Sequence, residues 1–327
     1  MFNRFLNNIK NYLNVLTFSM IPSFGIIVVL TYRCSLKCNF CFIKGLENEF
    51  KQDMTLESLN LALNWIKKNR IKTFVLSGGE PTEYVYFKEA MKLIEAHKLR
   101  VIIATNNLYP ASLLDILPRK NIRFILLNYN KEGHTEAQGI RFKDNLKRLN
   151  KIGFRLGLQL NIWRNSYDKE IIELARKYGS EIHLTLSCPG YSGNVCVQPG
   201  ELGNFSKTVV DFIQACKVNR VKTRFSRPII PCIFGKEDLE ILKPSAVRYR
   251  CNTIPVVNPD LSVFACLTIF KKFSSLSGFR NLNMLRKTFD PYSDSLRRIP
   301  LFDDCLRCKL FQRDRCQGGC LAYKQFR

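Results

Sequence analysis

The amino-acid sequence predicts an α/β protein, a partial (βα)6 TIM-like barrel followed by a smaller C-terminal cysteine-rich domain. Three observations carry that expectation. Short β-rich runs alternate with amphipathic helical stretches, the pattern of βα units that build a parallel sheet. Cys34, Cys38 and Cys41 follow the first run at C-x3-C-x2-C spacing. Beyond about residue 225 the βα rhythm stops, and a segment rich in aromatics and cysteines takes its place. The expected division is an N-terminal amphipathic helix over 1–24, the barrel over 25–225 and the C-terminal domain over 226–327.

Taken in order, Phe2, Phe5, Leu6, Ile9, Leu13 and Leu16 share one helical face ahead of the first strand. That face is expected to pack on the barrel, with an interfacial membrane helix as the second reading. The apolar stretch from Val15 to Leu30 is shorter than a membrane span and is interrupted by Pro22 and Gly25. Strands are expected at Gly25 to Thr31, Thr73 to Ser77, Arg100 to Thr105, Ile122 to Asn128, Phe154 to Ile162 and Glu181 to Ser187. Between them, Leu56, Leu59, Leu63 and Ile66 recur at helical spacing over Thr55 to Asn69, with Thr55 placed to cap the helix. Tyr84 to His97, Ala137 to Leu149 and Asp168 to Tyr178 read the same way. In a barrel of this kind the loops after the strand C-termini form the mouth of the active site.

The 327 residues include thirteen cysteines, a heavy load whose spacing decides its meaning. Extracellular disulfide scaffolds are short, carry a signal peptide and do not need C-x-x-C pairs. Here the N-terminal region lacks the compact succession of charged segment, apolar segment and small-residue cleavage site. Thiolate-bound metal in a reducing cytoplasm is the better reading, and the 46% hydrophobic content excludes a disordered chain. A formal net charge of +24 favours anionic partners: nucleic acid, an acidic peptide or a lipid surface. The densest basic patch holds Lys217, Arg220, Lys222, Arg224, Arg227 and Lys236 with no acidic residue among them.

Three cysteines at this spacing can ligate three irons of a 4Fe–4S cluster and leave the fourth iron without a protein ligand. Zinc, by contrast, prefers four closed ligands. A second motif, Ser77-Gly78-Gly79-Glu80-Pro81, closes the second expected strand, and its glycines let backbone approach a ligand closely. Together, Thr31-Tyr-Arg-Cys-Ser-Leu-Lys-Cys-Asn-Phe-Cys41, with the aromatic Phe40 before its last cysteine, and the Gly78 loop resemble the radical S-adenosylmethionine superfamily. The resemblance implies that S-adenosylmethionine binds the open iron and is reductively cleaved to methionine and a 5'-deoxyadenosyl radical. It also implies that the Ser77–Pro81 loop binds the methionine amino group. Ala104-Thr105-Asn106-Asn107 resembles the family's Thr-Asn-Gly, with Asn107 in place of glycine, and makes Asn106 a cofactor or substrate contact. Asn128, in the place of a usual aspartate near the ribose, and Asn161 at the fifth strand's end complete the expected cofactor contacts. Each of these asparagines could instead serve a turn or cap.

Cys251 and Cys266 flank Asn258-Pro259-Asp260, a turn signal, so a hairpin would bring them together. Cys305-x2-Cys308-x7-Cys316-x3-Cys320 then resembles the SPASM or twitch extensions that hold auxiliary iron–sulfur clusters. By that resemblance Cys251, Cys266 and Cys320 belong to one cluster and Cys305, Cys308 and Cys316 to another. Six cysteines exceed one four-thiolate cluster and fall short of two, so one or two auxiliary 4Fe–4S clusters are expected, with Cys232 available as a seventh ligand. A zinc knuckle built from the same thiolates is the alternative. Cys188, before Pro189-Gly190, could donate hydrogen to a substrate radical or simply be a buried core residue.

The expected activity is hydrogen abstraction from a bound substrate by the deoxyadenosyl radical, in peptide or protein maturation of the RiPP type. Alternatives are radical modification of a small metabolite, lipid or RNA, and a non-catalytic metal-binding scaffold. Expected partners are a peptide or small-molecule substrate and a reductase, flavodoxin or ferredoxin electron donor, with RNA or a membrane surface as further readings. The expected location is cytoplasmic, with membrane-peripheral attachment as a variant. No leader-binding winged domain is recognisable ahead of the barrel, so peptide recognition is expected to use the body or another chain.

Overall fold

The computed structural model describes residues 25–245, 247–250 and 253–325. The amphipathic face expected within 1–24 and the ligand expected at Cys251 lie outside the described residues. Ten strands form one sheet in the order β10-β9-β8-β1-β2-β3-β4-β5-β6-β7. Strands β1 (Ile27–Val29), β2 (Thr73–Ser77), β3 (Arg100–Thr105), β4 (Ile122–Tyr129), β5 (Leu156–Ile162) and β6 (Glu181–Leu186) are the six expected ones. Each pairs in parallel with the next. The barrel is partial and does not close.

A seventh parallel strand, β7 (Thr223–Phe225), follows helix Leu202–Val218 and pairs with β6. Three residues long and centred on Arg224, it offers too little alternation to be read from sequence. At the other edge, β8 (Val256–Val257) lies parallel to β1 and antiparallel to β9 (Ser262–Cys266), which pairs in turn with β10 (Ile269–Ser275). The turn expected at Asn258-Pro259-Asp260 therefore joins β8 to β9. Asp260 Oδ1 accepts from Ser262 N at 2.9 Å and closes it. Because β8 sits directly on β1, the sheet runs from the barrel into the C-terminal segment without a break.

Side chains alternate along each barrel strand, as a pleated backbone requires. Phe74 and Leu76, Ile125 and Leu127, Leu158 and Leu160, and Ile182 and Leu184 are buried in the main core with the helices. Helix Leu56–Lys68 contributes Leu59, Leu63 and Ile66 to that core, and the Thr55 side chain caps it by accepting from Ser58 N at 3.0 Å. The intervening positions Ser77, Asn128, Gln159, Asn161 and His183 are only half-buried and polar, and they form the inner face of the open barrel. A second apolar cluster lies against that inner face at β1, where Ile27 and Val29 meet Ile43, Leu46 and Phe50 of the returning cysteine loop together with Val256 and Phe264.

The C-terminal segment is also tied back to the barrel by hydrogen bonds. Tyr32 Oη donates to Asn258 Oδ1 at 2.7 Å, Trp65 Nε1 to the Phe279 carbonyl at 2.6 Å, and Leu282 N to Asn69 Oδ1 at 3.0 Å. Of the six cations in the basic patch, Arg224 bonds Glu181 and Arg227 lies over the Phe42 ring, while Lys217, Arg220, Lys222 and Lys236 remain exposed. Among the described residues, no helix is long and apolar enough to cross a membrane.

Candidate functional site

The two motifs separated by some forty residues in sequence meet at the C-terminal ends of β1 and β2. Gly79 N donates to the Thr31 carbonyl at 3.0 Å and Glu80 N to the Arg33 carbonyl at 2.8 Å, so the loop after β2 is stitched to the start of the cysteine loop. Gly78 has φ +135°, a conformation open to glycine and strained for any side chain. A Cβ on Gly79 would collide with the Arg33 carbonyl and with Tyr32 backbone. Both glycines are thus needed for the cysteine loop to approach. Glu83 adds a third tie by accepting from Ser35 N at 2.9 Å and from Ser35 Oγ at 2.7 Å.

Glu80 is buried, and its carboxylate accepts four hydrogen bonds. They come from Thr82 N, Thr82 Oγ1, Thr105 Oγ1 and Asn106 N. Burial pushes its pKa up while those donors pull it down. The carboxylate accordingly spends its acceptor capacity on holding the ends of β2 and β3 together. Pro81 is buried and opens the 3-10 turn Pro81–Glu83 that Glu80 caps.

Cys34 keeps an exposed edge, and Cys38 and Cys41 are half-buried. Desolvation raises the thiol of Cys34 to about 12 and that of Cys38 to about 11, and raises Cys41 as well. The charge of Cys38 raises Cys34 further and that of Cys41 raises Cys38, so the three sulfurs share one neighbourhood. Donors already point at them. Asn130 Nδ2 donates to Cys38 Sγ at 2.8 Å, Leu36 N–H lowers Cys34, and the N–H groups of Ile43 and Lys44 lower Cys41. Three thiols that resist ionisation by themselves but are met by N–H donors fit a metal cluster, which supplies the missing positive charge and takes them as thiolates. Among the described residues, no three His, Cys, Asp or Glu side chains close round a single metal ion. Thiolates of a four-iron cube bind different irons and stand farther apart.

Phe40 is buried with its ring 6.4 Å from that of Trp163, just past β5. The loop after β6 reaches the same place: Asn194 Nδ2 donates to the Phe40 carbonyl at 3.1 Å, and Tyr191 N and Val195 N bond the carbonyls of Phe42 and Asn39 at 2.9 Å. Asn106 uses its Oδ1 to accept from Leu108 N at 3.0 Å, and its buried Nδ2 has no partner among the described residues. Asn107 adopts φ +63°, the left-handed backbone that the family's glycine would favour and that asparagine tolerates. On the inner face, Asn161 Nδ2 donates to Asn128 Oδ1 at 2.9 Å between adjacent strands. Spacing gave no hint of Asn130 or Glu83, because each acts through a neighbour across the fold.

Residues 28–178 match the model of the Radical SAM superfamily. Residues 28–178 form a Radical SAM domain. Members of the superfamily use a 4Fe–4S cluster and S-adenosylmethionine, and the three-cysteine loop and the glycine loop both lie within the matched residues. Among curated proteins, 7-carboxy-7-deazaguanine synthase of Clostridium acetobutylicum is 33% identical over 119 residues, covering 36% of this chain and 52% of that protein. The chain thus spans about half the length of that relative. Two solved radical SAM structures share the fold. Streptococcus suis SuiB bound to precursor peptide SuiA superimposes with a TM-score of 0.63 at 19% identity, over 97% of this chain and 76% of that one. Native anSMEcpe with bound AdoMet and Kp18Cys peptide gives 0.64 at 18% identity, over 90% and 88%.

The other expected site residues begin beside the cysteine loop, where Asn194 Nδ2 also donates to the Cys188 carbonyl at 3.0 Å. Cys188 is buried, with Arg227 Nη1 against its sulfur, and it hydrogen-bonds Cys320. Thr268 Oγ1 stands 3.6 Å from Cys266 Sγ and 3.7 Å from Cys320 Sγ. The bond to Cys188 and the charge of Arg227 bring Cys320 down to about 5, while burial drives Cys188 well up. Cys305, Cys308 and Cys316 occupy a separate loop, in which Cys308 N bonds the Cys305 carbonyl at 3.1 Å and Gly318 N donates to Cys316 Sγ at 3.3 Å.

Proposed function

We propose that the protein reductively cleaves S-adenosylmethionine and uses the resulting radical to take a hydrogen atom from a peptide, in peptide or protein maturation. The observation that carries the proposal is the joining of the cysteine loop to the Gly78–Gly79 loop at the mouth of a barrel whose inner face is polar. Cys34, Cys38 and Cys41 would hold the cluster. When bound, the cluster and S-adenosylmethionine supply one-electron cleavage of the sulfonium to methionine and a 5'-deoxyadenosyl radical. The remaining work falls to this chain. Backbone at Ser77, Gly78 and Gly79 receives the methionine end, the free Nδ2 of Asn106 offers a donor beside it, and Asn128 with Asn161 line the inner face toward the nucleoside or substrate. Phe40 and Trp163 provide an apolar wall that keeps water from the reacting centre.

The C-terminal thiols would hold auxiliary clusters, Cys266 and Cys320 together with Cys251 in one and Cys305, Cys308 and Cys316 in another. The peptide class is supported by the fold shared with two structures that contain peptides and by a charge of +24, which suits an acidic chain.

The test is anaerobic incubation of reconstituted protein with S-adenosylmethionine and a strong reductant, reading methionine and 5'-deoxyadenosine. Formation of both by the wild type and loss of both in Cys34→Ala is the expected result; cleavage that survives in Cys34→Ala overturns it. Deuterium carried from a fully deuterated peptide digest into 5'-deoxyadenosine supports the peptide class. Deuterium carried only from a deuterated nucleotide or lipid pool replaces it.

A further inference from the structure

The C-terminal motif leaves Cys305, Cys308 and Cys316 one thiolate short of a closed four-iron cube. The fold brings a fourth sulfur to them from a distant part of the chain. Cys232 stands in the 3-10 turn Pro231–Ile233, between the end of the barrel and the β8–β9 hairpin. Contacts on both sides hold that turn in place. Ile229 N donates to the Arg248 carbonyl at 2.8 Å, and Gln317 N donates to the neighbouring Tyr249 carbonyl at 3.0 Å. The Ile230 side chain covers Gly319, where a Cβ would stand 3.0 Å from its Cδ1.

These contacts set the turn beside the loop that carries Cys316. Desolvation and then the charges of Cys316, Cys305 and Cys308 raise the Cys232 thiol to about 12, although the residue keeps an exposed edge. Cys308 and Cys305 act on Cys316 in the same way. The Ile230–Gly319 contact thus sets the Cys232 turn against the segment that carries Cys316, with Cys305 and Cys308 within electrostatic reach. Their surroundings suit an anionic cluster: Gly318 N–H points at Cys316 Sγ, and the charge of buried Lys324 draws the Cys316 thiol toward ionisation.

We propose that Cys232 is the fourth thiolate of the iron–sulfur cluster held by Cys305, Cys308 and Cys316. The proposal rests on the auxiliary-cluster reading above and sharpens it. A cube with one thiolate on each iron has no iron left for a substrate, so this cluster serves electron transfer and ties the 229–233 segment to the C-terminal loop.

The test compares full-length wild type with Cys232→Ala, Cys232→Ser, Cys305→Ala and, as a control, Cys196→Ala, whose half-buried thiol accepts from Gln198 Nε2 at 3.3 Å, after anaerobic reconstitution, by iron and sulfide content and by electron paramagnetic resonance. Cys232→Ala is expected to lose between about one and about four irons per chain, with a three-iron signal on oxidation when only the uncovered iron departs. Cys232→Ser, whose oxygen can still ligate, is expected to change the spectrum of the reduced protein. Cys196→Ala is expected to match wild type. Wild-type iron and spectrum in folded Cys232→Ala overturn the proposal, and an unchanged spectrum in Cys232→Ser does so where the alanine variant fails to fold. If Cys305→Ala loses iron while Cys232→Ala does not, only this assignment falls. If Cys305→Ala also keeps its iron, the auxiliary cluster itself falls.

Discussion

Cys34, Cys38 and Cys41 lie within one short loop, whereas Cys188, Cys266 and Cys320 are brought together by the fold from segments far apart. Thr268, two residues past Cys266, approaches a sulfur 52 positions further along. The first group is half exposed at the barrel mouth and the second is largely buried between sheet and tail. The contrast teaches where each group gets its geometry. A three-thiolate loop sets its own spacing and needs only a platform, which the glycine loop supplies through the Thr31 and Arg33 carbonyls. The distant thiols have no local geometry of their own and depend on β8, β9 and the tail docking correctly.

The strongest test of that contrast is to remove one ligand from each region. Cys34→Ala is expected to lose about four irons and all S-adenosylmethionine cleavage, while Cys266→Ala loses a similar amount of iron and retains cleavage within a few-fold. Anaerobic iron analysis beside 5'-deoxyadenosine formation checks both, and equal loss of cleavage in the two variants would merge the regions into one functional unit. Next in size, Gly79→Ala forces a methyl group against the Arg33 carbonyl. Cleavage is expected to fall by more than about tenfold with the C-terminal irons intact, as a misplaced site costs rate steeply. Wild-type activity there would show that the platform is not needed.

A smaller change is expected from Asn130→Ala, which deletes the 2.8 Å hydrogen bond to Cys38 Sγ. Loss of such an outer partner costs about 10-fold or more in metal affinity or activity, measured by cluster retention under chelator challenge. Smallest is Glu181→Gln, which lies in neither region. The hydrogen bond from His183 and then that from Arg224 lower the Glu181 carboxyl to about 2 against the desolvation of its site. Its contribution is therefore complete above the usual carboxylate range and fades as the pH falls toward 2. The variant is expected to lose about 2 kcal/mol at pH 7, to converge with wild type in acid, and to keep its iron. Denaturant melts at several pH values check this, and a drop in iron would tie stability to the clusters.

Much of the fold is legible in the sequence. The six β runs, the helix capped by Thr55 and the turn at Asn258-Pro259-Asp260 all lie where the spacing places them, because period, caps and turn residues act within a few positions. Strand β7 is not legible, because three residues give no period. At the site, both loops stand out as motifs, but the use of the Glu80 carboxylate as a clamp on Asn106 and Thr105 does not. Nor does the reason for Asn107, whose left-handed backbone only the third strand's end reveals.

What the sequence determined by itself was therefore local: the thiol triplet, the glycine pair and the alternation that makes a parallel sheet. Tertiary structure alone decided that β8 would pair with β1, and that Cys188 would meet Cys320 and Arg227. The physical reason is range. Backbone propensity and motif spacing reach a few residues, whereas partners for distant sulfurs are chosen by which buried surfaces fit together.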